Sequence, residues 1–198
     1  VGLSLAAAVA MENARLFDET QRLLTETEQR AAELAIINSV QEALAAELNI
    51  QGIYDAVGDK IRAIFRQADV GIRIHDPQTD LIQFPYFFKD GERLTVPSVP
   101  MKEAGITAHV LRTRETLVIN EDMPGAIAKY GSRMLGPAVE KSSVFVPLIS
   151  GDRAHGLVNL LDMHREHAFS QSDVRLLQTL ANSMSVALEN ARLFEETQ

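Results

Sequence analysis

The sequence contains no cysteine among its 198 residues. This absence excludes disulfide bonds, thiolate nucleophiles, cysteine-ligated metals and cofactors attached through a thioether. A chain without cysteine is compatible with a reducing compartment. We therefore expect a cytoplasmic protein whose chemistry does not depend on sulfur nucleophiles.

Basic residues are few compared with acidic ones. The sequence has 19 Lys and Arg and 27 Asp and Glu, which gives a net charge of −8. No local cluster of basic residues offsets this charge. A negative surface repels phosphate backbones and anionic lipid. We expect no nucleic-acid partner and no direct membrane contact by this segment.

Long apolar runs are also missing. The apolar opening VGLSLAAAVA ends by Met11, which is too short to span a bilayer, and no basic residue precedes it, as one would in a signal peptide. The 46% of hydrophobic residues are nevertheless enough for one domain with a buried core. The opening is therefore predicted to be a buried helix face.

Proline and glycine are absent from Leu3 to Leu48, where Glu, Gln, Ala, Leu and Arg dominate. This composition favours one uninterrupted helix. Val9, Leu16 and Leu23 recur every seven residues, a spacing typical of a coiled coil. Thr25–Arg30 carries no large apolar residue, so we expect a solvated connector there.

The decapeptide ENARLFDETQ, Glu12–Gln21, returns as ENARLFEETQ, Glu189–Gln198, so that Glu189 follows Glu12 by 177 residues. Similarity at a fixed offset marks a repeated structural unit. We expect residues 1–30 to be the terminal helix of an upstream unit and a connector. Residues 31–198 are then one whole unit that ends with its own copy of that helix.

Hydrophobic periodicity predicts the remaining elements. In chain order they are a helix over Ile53–Phe65, strands over Val70–Asp76 and Leu81–Lys89, a helix over Gly105–Thr113, a strand over Thr116–Ile119, a helix over Met123–Tyr130, strands over Ser143–Ile149 and His155–Met163, and a final helix that Ser170 and Asp173 begin as a capping box. Hairpins without βαβ crossovers predict an α+β fold with an antiparallel sheet. Long N- and C-terminal helices should pack on one face of this sheet and a loop-lined pocket should lie on the other, with a long signalling helix in front.

Motifs for catalysis are lacking, since the sequence has no nucleophile elbow, no phosphate-binding P-loop and no dinucleotide fingerprint. His164 and His167 precede the last helix, but their spacing is not the HExxH pattern and no third ligand is evident. We expect a solvated loop there, no metal site and no enzyme activity.

Two segments together resemble a GAF domain: AGITAHVLRTRETLVINED, Ala104–Asp122, and the stretch that begins SVFVPLISGD at Ser143 and runs to Gln198. The resemblance covers the chain from about Ala35 onward. GAF domains of this style commonly occur in tandem in bacterial sensor histidine kinases, cyclases and related signalling proteins. The resemblance therefore implies a sensory module of a signal-transduction protein, for example of a two-component system, with adjacent GAF and output domains in the same chain.

The resemblance leaves the ligand unknown, because the fold hosts many. GAF domains that bind cyclic nucleotides carry an Asn-Lys, Phe and Asp-Glu signature. Asn159, Phe169 and Asp173 match it, but Leu160 and Val174 replace the Lys and the Glu, so the signature is broken. The absence of cysteine excludes a covalently attached bilin and the reduction of oxidised methionine that some relatives perform.

Strand alternation predicts which side chains reach the pocket. Arg73 and His75 share one face of the first strand, whereas Val70, Ile72 and Ile74 share the face expected under the helices. A cation and a titratable ring suit an anionic or aromatic ligand. The candidate ligand-binding residues are Arg73, His75, Tyr86, Phe88, His109, Tyr130, Phe145 and Asn159. The alternative is that Arg73 pairs with an acid and the aromatic rings fill a collapsed core.

Two functions therefore remain open: a sensor that binds a small molecule, and a ligand-free dimerisation and relay module. The apolar helix stripes are broader than one sheet face requires, which predicts a parallel homodimer through a four-helix bundle. The candidate dimer-interface residues are Leu34, Ile37, Leu44, Leu48, Val174, Leu177, Met184 and Leu188.

Overall fold

A computed structural model describes residues 2–47, 49–133 and 138–196. The chain divides into two compact units, Val1–Ser39 and Val40–Gln198. Helix α1, Gly2–Ala45, supplies the first unit and the opening residues of the second. Arg15 pairs with Glu12 and Glu19, which stabilises a turn of α1 by contacts within the helix itself. The predicted division between residues 30 and 31 stays a prediction.

The second unit contains four further helices and seven strands in the described residues. These are α2 (Ile50–Ile64), β1 (Asp69–Asp76), β2 (Leu81–Lys89), β3 (Glu92–Arg93), β4 (Val99–Pro100), a 3₁₀ turn (Met101–Glu103), α3 (Gly105–Thr113), β5 (Leu117–Ile119), α4 (Met123–Tyr130), β6 (Ser142–Ser150), β7 (Arg153–Asp162) and α5 (Gln171–Glu196). The predicted order of helices and strands is confirmed. The short strands β3 and β4 and the 3₁₀ turn were not predicted, because two- and three-residue elements carry no periodic pattern.

The strands form one sheet in the order β3-β2-β1-β7-β6-β5, and β4 also pairs with β2. All pairs are antiparallel, as the hairpin pattern predicted. The register between β1 and β2 shifts between Ile72 and Ile74, so that Phe84 and Pro85 both stand against Arg73. This arrangement is a β-bulge in β2, and it changes which residues of that strand share a face.

Helices α2 and α5 pack on one face of the sheet, which we call the helix side. Val70 and Ile72 of β1 are fully buried, as predicted for this side. Tyr86 lies opposite Ile72, and its ring fills the space where a Cβ on Gly58 of α2 would stand, only 2.4 Å from the ring. The close approach of β2 to α2 therefore requires glycine at position 58.

Both principal helices of this side begin at a side-chain cap. Ser170 Oγ accepts a hydrogen bond from the Asp173 N–H, and the Asp173 carboxylate accepts one from the Ser170 N–H, which confirms the predicted capping box. Asn49 Oδ1 accepts from the Gly52 N–H at 2.7 Å. Because this cap lies before Gly52, α2 begins three residues earlier than predicted.

Helices α3 and α4 cover the opposite face, which we call the α3 side. A cluster of buried apolar residues joins them to the sheet: Ile106, Val110, Ile119, Met123, Phe145 and Leu157. No helix among the described residues combines the length and apolar character needed to span a bilayer. The sheet is thus covered by helices on both faces, and the two faces differ in chemistry.

Candidate ligand-binding site

Arg73 is the central cation of the α3 side. Its Nη1 donates to Thr107 Oγ1 of α3 at 2.7 Å, and its Nη2 donates to Asn159 Oδ1 of β7 at 3.3 Å. Its Cζ lies over the rings of Phe84 and Phe145, 5.6 Å from each centroid. The guanidinium is thus held by two neutral polar groups and flanked by two aromatic rings.

The charge of Arg73 is only partly compensated. Burial lowers the pKa of this guanidinium to about 10, and the Glu140 carboxylate opposes that shift. No carboxylate of the described residues lies within ion-pair distance of Arg73, so Glu140 acts from further away. Arg73 Nε is buried and has no hydrogen-bond partner among the residues that the structure describes. A pKa near 10 still leaves the side chain protonated at neutral pH.

Asn159 is fully buried and has a fixed orientation. Its Nδ2 donates to Ser143 Oγ at 2.9 Å, to the Val144 carbonyl at 3.1 Å and to the Leu160 carbonyl at 3.3 Å. These acceptors leave only Oδ1 free to face Arg73. Asn159 therefore positions the guanidinium.

Tyr86 and Phe88 do not join this group, because the bulge in β2 turns them to the helix side. The Tyr86 hydroxyl donates to Asp59 Oδ1 at 2.8 Å, and burial, with that hydrogen bond, raises the pKa of the phenol. The Arg62 guanidinium lies 4.1 Å from the centroid of the Phe88 ring. Asp59 and Arg62 both belong to α2, so these two aromatic residues support the helix layer instead of a pocket on the α3 side.

His75 also lies apart from Arg73. Its Nε2 is 2.9 Å from Asp80 Oδ1 in the turn between β1 and β2. It lines a small cavity of about 180 Å³ on the helix side, together with Tyr54, His155 and Glu189.

His109 and Tyr130 form a pair on the outer part of the α3 side. Their ring centroids are 4.6 Å apart, and Tyr130 packs against the apolar cluster that contains Phe145. The structure therefore brings Arg73, Phe145 and Asn159 together directly and connects Tyr130 and His109 to them through that cluster.

Three residues of this arrangement were not predicted from the sequence: Thr107, Phe84 and Glu140. Thr107 is buried, and it follows Ile106 on the face of α3 that meets the sheet, so helical periodicity was a usable signal. Phe84 shares the alternation of Tyr86 and Phe88, which were expected to reach the pocket, so strand alternation was a usable signal for Phe84 as well. Glu140 lies outside every predicted element and gave no signal.

A larger apolar groove lies on the helix side of the second unit. It encloses about 660 Å³ between the end of α1, α2 and α5. Its lining includes Leu44, Ile53, Val186, Ala187 and Ala191. Val186 is 62% exposed, so the groove presents apolar surface to solvent.

The predicted dimer-interface residues have different surroundings in the single chain. Leu44, Leu177 and Met184 are buried. Val174, Leu188 and Ile37 are half-buried, and Leu34 is 59% exposed. Leu48 lies outside the described residues. The buried members pack within this chain, and the homodimer itself stays a prediction.

The histidines before α5 engage separate partners. The His164 N–H donates to Asp162 Oδ1, and His167 Nε2 lies 3.2 Å from Glu121 Oε2. No group of three or more His, Asp or Glu side chains is placed to hold a metal ion in the portion that the structure describes.

Comparison with known families decides the classification. The model of a family described as "GAF domain" matches residues 47–189, which is more than half of the chain. The chain belongs to the GAF domain family. Solved structures agree on the fold: the GAF domain of a phosphoenolpyruvate-protein phosphotransferase from Acinetobacter has a TM-score of 0.69 at 14% identity, over 82% of this chain and 95% of that one.

A second structure of the same fold is the free methionine-R-sulfoxide reductase from Neisseria meningitidis in complex with its substrate. Its TM-score is 0.67 at 17% identity, over 84% of this chain and 93% of that one. At such identities, the likeness of this GAF domain to either structure shows the fold alone.

Curated relatives of this GAF domain include the formate hydrogenlyase transcriptional activator FhlA of Escherichia coli (strain K12), which is 24% identical over 81% of this chain. The formate hydrogenlyase transcriptional activator of Salmonella typhimurium (strain SL1344) is 23% identical over the same share. The chain spans about a quarter of the length of these relatives, 24% in each case.

Proposed function

We propose that this GAF domain is a non-catalytic sensory module of a signal-transduction protein. It binds a small molecule on the α3 side of the sheet and relays the bound state through its helices. The observation that carries the proposal is Arg73, a half-buried side chain flanked by Phe84 and Phe145 whose buried Nε has no hydrogen-bond partner among the described residues. A buried donor without a partner calls for an explanation, and a bound small molecule provides one.

The relatives support a regulatory role. FhlA and its Salmonella counterpart are transcriptional activators. The module then controls an output domain of the same chain, such as a sensor histidine kinase of a two-component system, a cyclase or a transcriptional regulator. The lack of cysteine supports a place in the cytoplasm.

The repeated helix supports a tandem arrangement. Leu180, Met184 and Ala191 of α5 are buried in the second unit. Their counterparts 177 residues earlier are Leu3, Ala7 and Ala14, and all three are exposed, Leu3 by 91%. We propose that this face of α1 packs on the sheet of an adjacent GAF domain upstream, as α5 packs on its own sheet.

Native mass spectrometry of the freshly purified protein tests the sensory function. We expect a fraction of the protein to retain a non-covalent small molecule, and we expect that molecule to raise Tm when added back to stripped protein. A protein that carries no molecule, and whose Tm no metabolite fraction from the host raises, would count against a sensor.

The second candidate function is a ligand-free dimerisation and relay module. The exposed apolar groove favours it. Helix α5 borders the groove, and its apolar residues there can contact a second copy while the rest of the helix packs on its own sheet. We propose a parallel homodimer whose coiled-coil contacts involve this groove. Light scattering should then give twice 21.8 kDa for the parent protein.

Variants at the groove make this test specific. Val186→Glu should shift the protein towards the monomer, because it places a charge in the groove. Leu94→Glu, on a partly exposed side chain after β3, is the matched control and should leave the dimer intact. A monomeric parent protein at tens of micromolar excludes the dimer.

Insertions in the connector test the relay. Two residues added within Thr25–Arg30 of the full-length protein turn everything beyond them by about 200°, whereas seven residues nearly restore the facing. The two-residue insertion should change or abolish regulated output, and the seven-residue insertion should largely preserve it. If both variants signal like the parent, α1 does not act as a mechanical relay.

A further inference from the structure

The hydrogen bonds of the Arg73 side chain leave one of its nitrogens without an acceptor in the part of the chain that the structure describes. Of its three nitrogens, Nη1 and Nη2 donate to Thr107 and Asn159, whereas Nε has no partner in the described residues. Buried N–H groups are nearly always hydrogen-bonded in native proteins, and a charged one is especially costly to leave without a partner. Among the described residues, Asn120 Oδ1 is the other buried side-chain atom without a partner, and it is a neutral hydrogen-bond acceptor.

The partners that Arg73 does have are neutral. Thr107 and Asn159 accept hydrogen bonds, and the rings of Phe84 and Phe145 attract the cation through their π faces, but none of these groups carries a negative charge. A buried cation is normally paired with an anion. These contacts position the guanidinium, but none of them supplies a negative charge to pair with it.

The charge balance indicates which anion fits. Glu140 already raises the pKa of Arg73 from beyond ion-pair distance, so the surroundings of the guanidinium include one negative charge at longer range. A monoanion adds one close hydrogen-bonded partner, whereas a phosphate dianion adds a second charge that Glu140 repels. The planar fork of a guanidinium matches carboxylates and phosphates alike, so the preference for a carboxylate rests on the charge.

We propose that the ligand of this module carries a carboxylate and that Arg73 binds this group. The proposal rests on the sensory function above and names the chemical class of its ligand. Thr107 and Asn159 hold the guanidinium in place, and Nε supplies the free donor. Phe84 and Phe145 flank the guanidinium with their rings.

The experiment compares acetate and pyruvate with acetamide, which has the shape of acetate without its charge. The ¹H–¹⁵N signal of Arg73 Nε is followed during each titration at constant ionic strength, and the Arg73→Lys protein assigns it by its absence. The signal should shift saturably with acetate or pyruvate and should not shift with acetamide or sodium chloride. Equal shifts with acetamide, or no shift with either carboxylate, overturn the proposal.

Variants measure the contribution of the guanidinium. Arg73→Met should lower the association constant for the carboxylate at least about tenfold, since a hydrogen bond to a charged group contributes about 1.5–3 kcal/mol. Arg73→Lys keeps the charge and guards against a folding defect in the Met variant; its affinity should be intermediate. Arg175→Met removes an exposed arginine of α5 and should bind like the parent.

A further arm separates failure of this inference from failure of the sensory function. A metabolite fraction from the host is tested for its effect on Tm in the parent protein and in Arg73→Met. A rise that is equal in both proteins means that the module senses a molecule without Arg73, which refutes only the carboxylate. No rise in either protein, with no response to carboxylates, refutes both.

Discussion

The two faces of the sheet bury different kinds of side chain. On the helix side, Val70, Ile72 and Leu177 are fully buried, and the hydroxyl of Tyr86 is satisfied by Asp59. On the α3 side, the same sheet holds Arg73 and Asn159 in a polar network next to an apolar cluster. The helix side therefore stabilises the fold, whereas the α3 side retains a charge that its own neighbours do not neutralise.

The two faces differ in what a substitution removes. Well-packed apolar faces lose stability when they are changed, and they have no free polar donor to offer. A buried cation with neutral partners lowers stability unless something else pairs with it. Substitutions on the two faces should therefore have separable effects on unfolding and on ligand affinity.

The largest expected effect belongs to the helix side. Leu177→Ala should lower the free energy of unfolding by about 3–4 kcal/mol, because it leaves a cavity at a fully buried position of α5. Leu193→Ala, on the exposed part of the same helix, should change it by less than about 0.5 kcal/mol. Urea denaturation measures both. Similar losses in the two variants would show that burial does not distinguish these positions.

A smaller loss is expected on the α3 side. Asn159→Ala should lower the free energy of unfolding by about 2 kcal/mol, since it strands Arg73 and the acceptors of Asn159 Nδ2. In an Arg73→Met background the same substitution should lower it less. A double-mutant cycle measures the coupling. An uncoupled result would mean that Asn159 does not position Arg73.

A still smaller change tests the close approach of α2 to β2. Gly58→Ala should lower the free energy of unfolding by about 1 kcal/mol, because the clash with the Tyr86 ring exceeds the gain in helix propensity. In a Tyr86→Leu background, the same Gly58→Ala substitution should instead be neutral or stabilising. Thermal unfolding of the four proteins checks the sign, and destabilisation in both backgrounds argues against the ring as the cause.

The smallest effect concerns alkaline pH. Burial raises the pKa of Tyr54 in α2 from 10.0 to about 12. Its contribution to stability is full below pH 10 and is lost as the pH rises towards 12, because the unfolded phenol ionises first. At about pH 10.5 the loss should stay below about 1 kcal/mol. Tyr54→Phe should show a weaker decline in stability from pH 9 upward than the parent; equal declines contradict the assignment.

The sequence allowed prediction of much of the fold, because its signals are local. The bounds of β2, α3 and α4 match the predicted ranges, and the capping box at Ser170 was visible as a short motif. Hairpin connections were enough to predict an antiparallel sheet. Each of these features depends on residues close together in the chain.

The candidate site was harder to predict, because it depends on pairing between distant residues. Alternation placed Arg73 on the correct side of β1 in relation to Ile72, but the bulge at Phe84 and Pro85 reversed the expected faces of β2. Alternation puts Phe84 and Tyr86 on one face of β2, whereas the bulge separates them, so that Phe84 joins Arg73 and Tyr86 lies on the helix side. A bulge is set by the register of two strands, and no short motif in β2 reveals it.

The bulge also brings two neighbouring residues of β2 into contact with different layers of the fold. Phe84 contacts the guanidinium of Arg73, and the carbonyl of the next residue, Pro85, accepts hydrogen bonds from Gln51 at 3.3 Å and Arg93 at 2.9 Å. Gln51 lies in the first turn of α2, so one peptide bond separates a wall of the candidate site from an anchor of the helix layer. Because proline has no N–H, the extra residue leaves no donor unpaired at this point. We therefore expect a displacement of Phe84 by an incoming molecule to move the Pro85 carbonyl and, through its hydrogen bond, Gln51 at the start of α2.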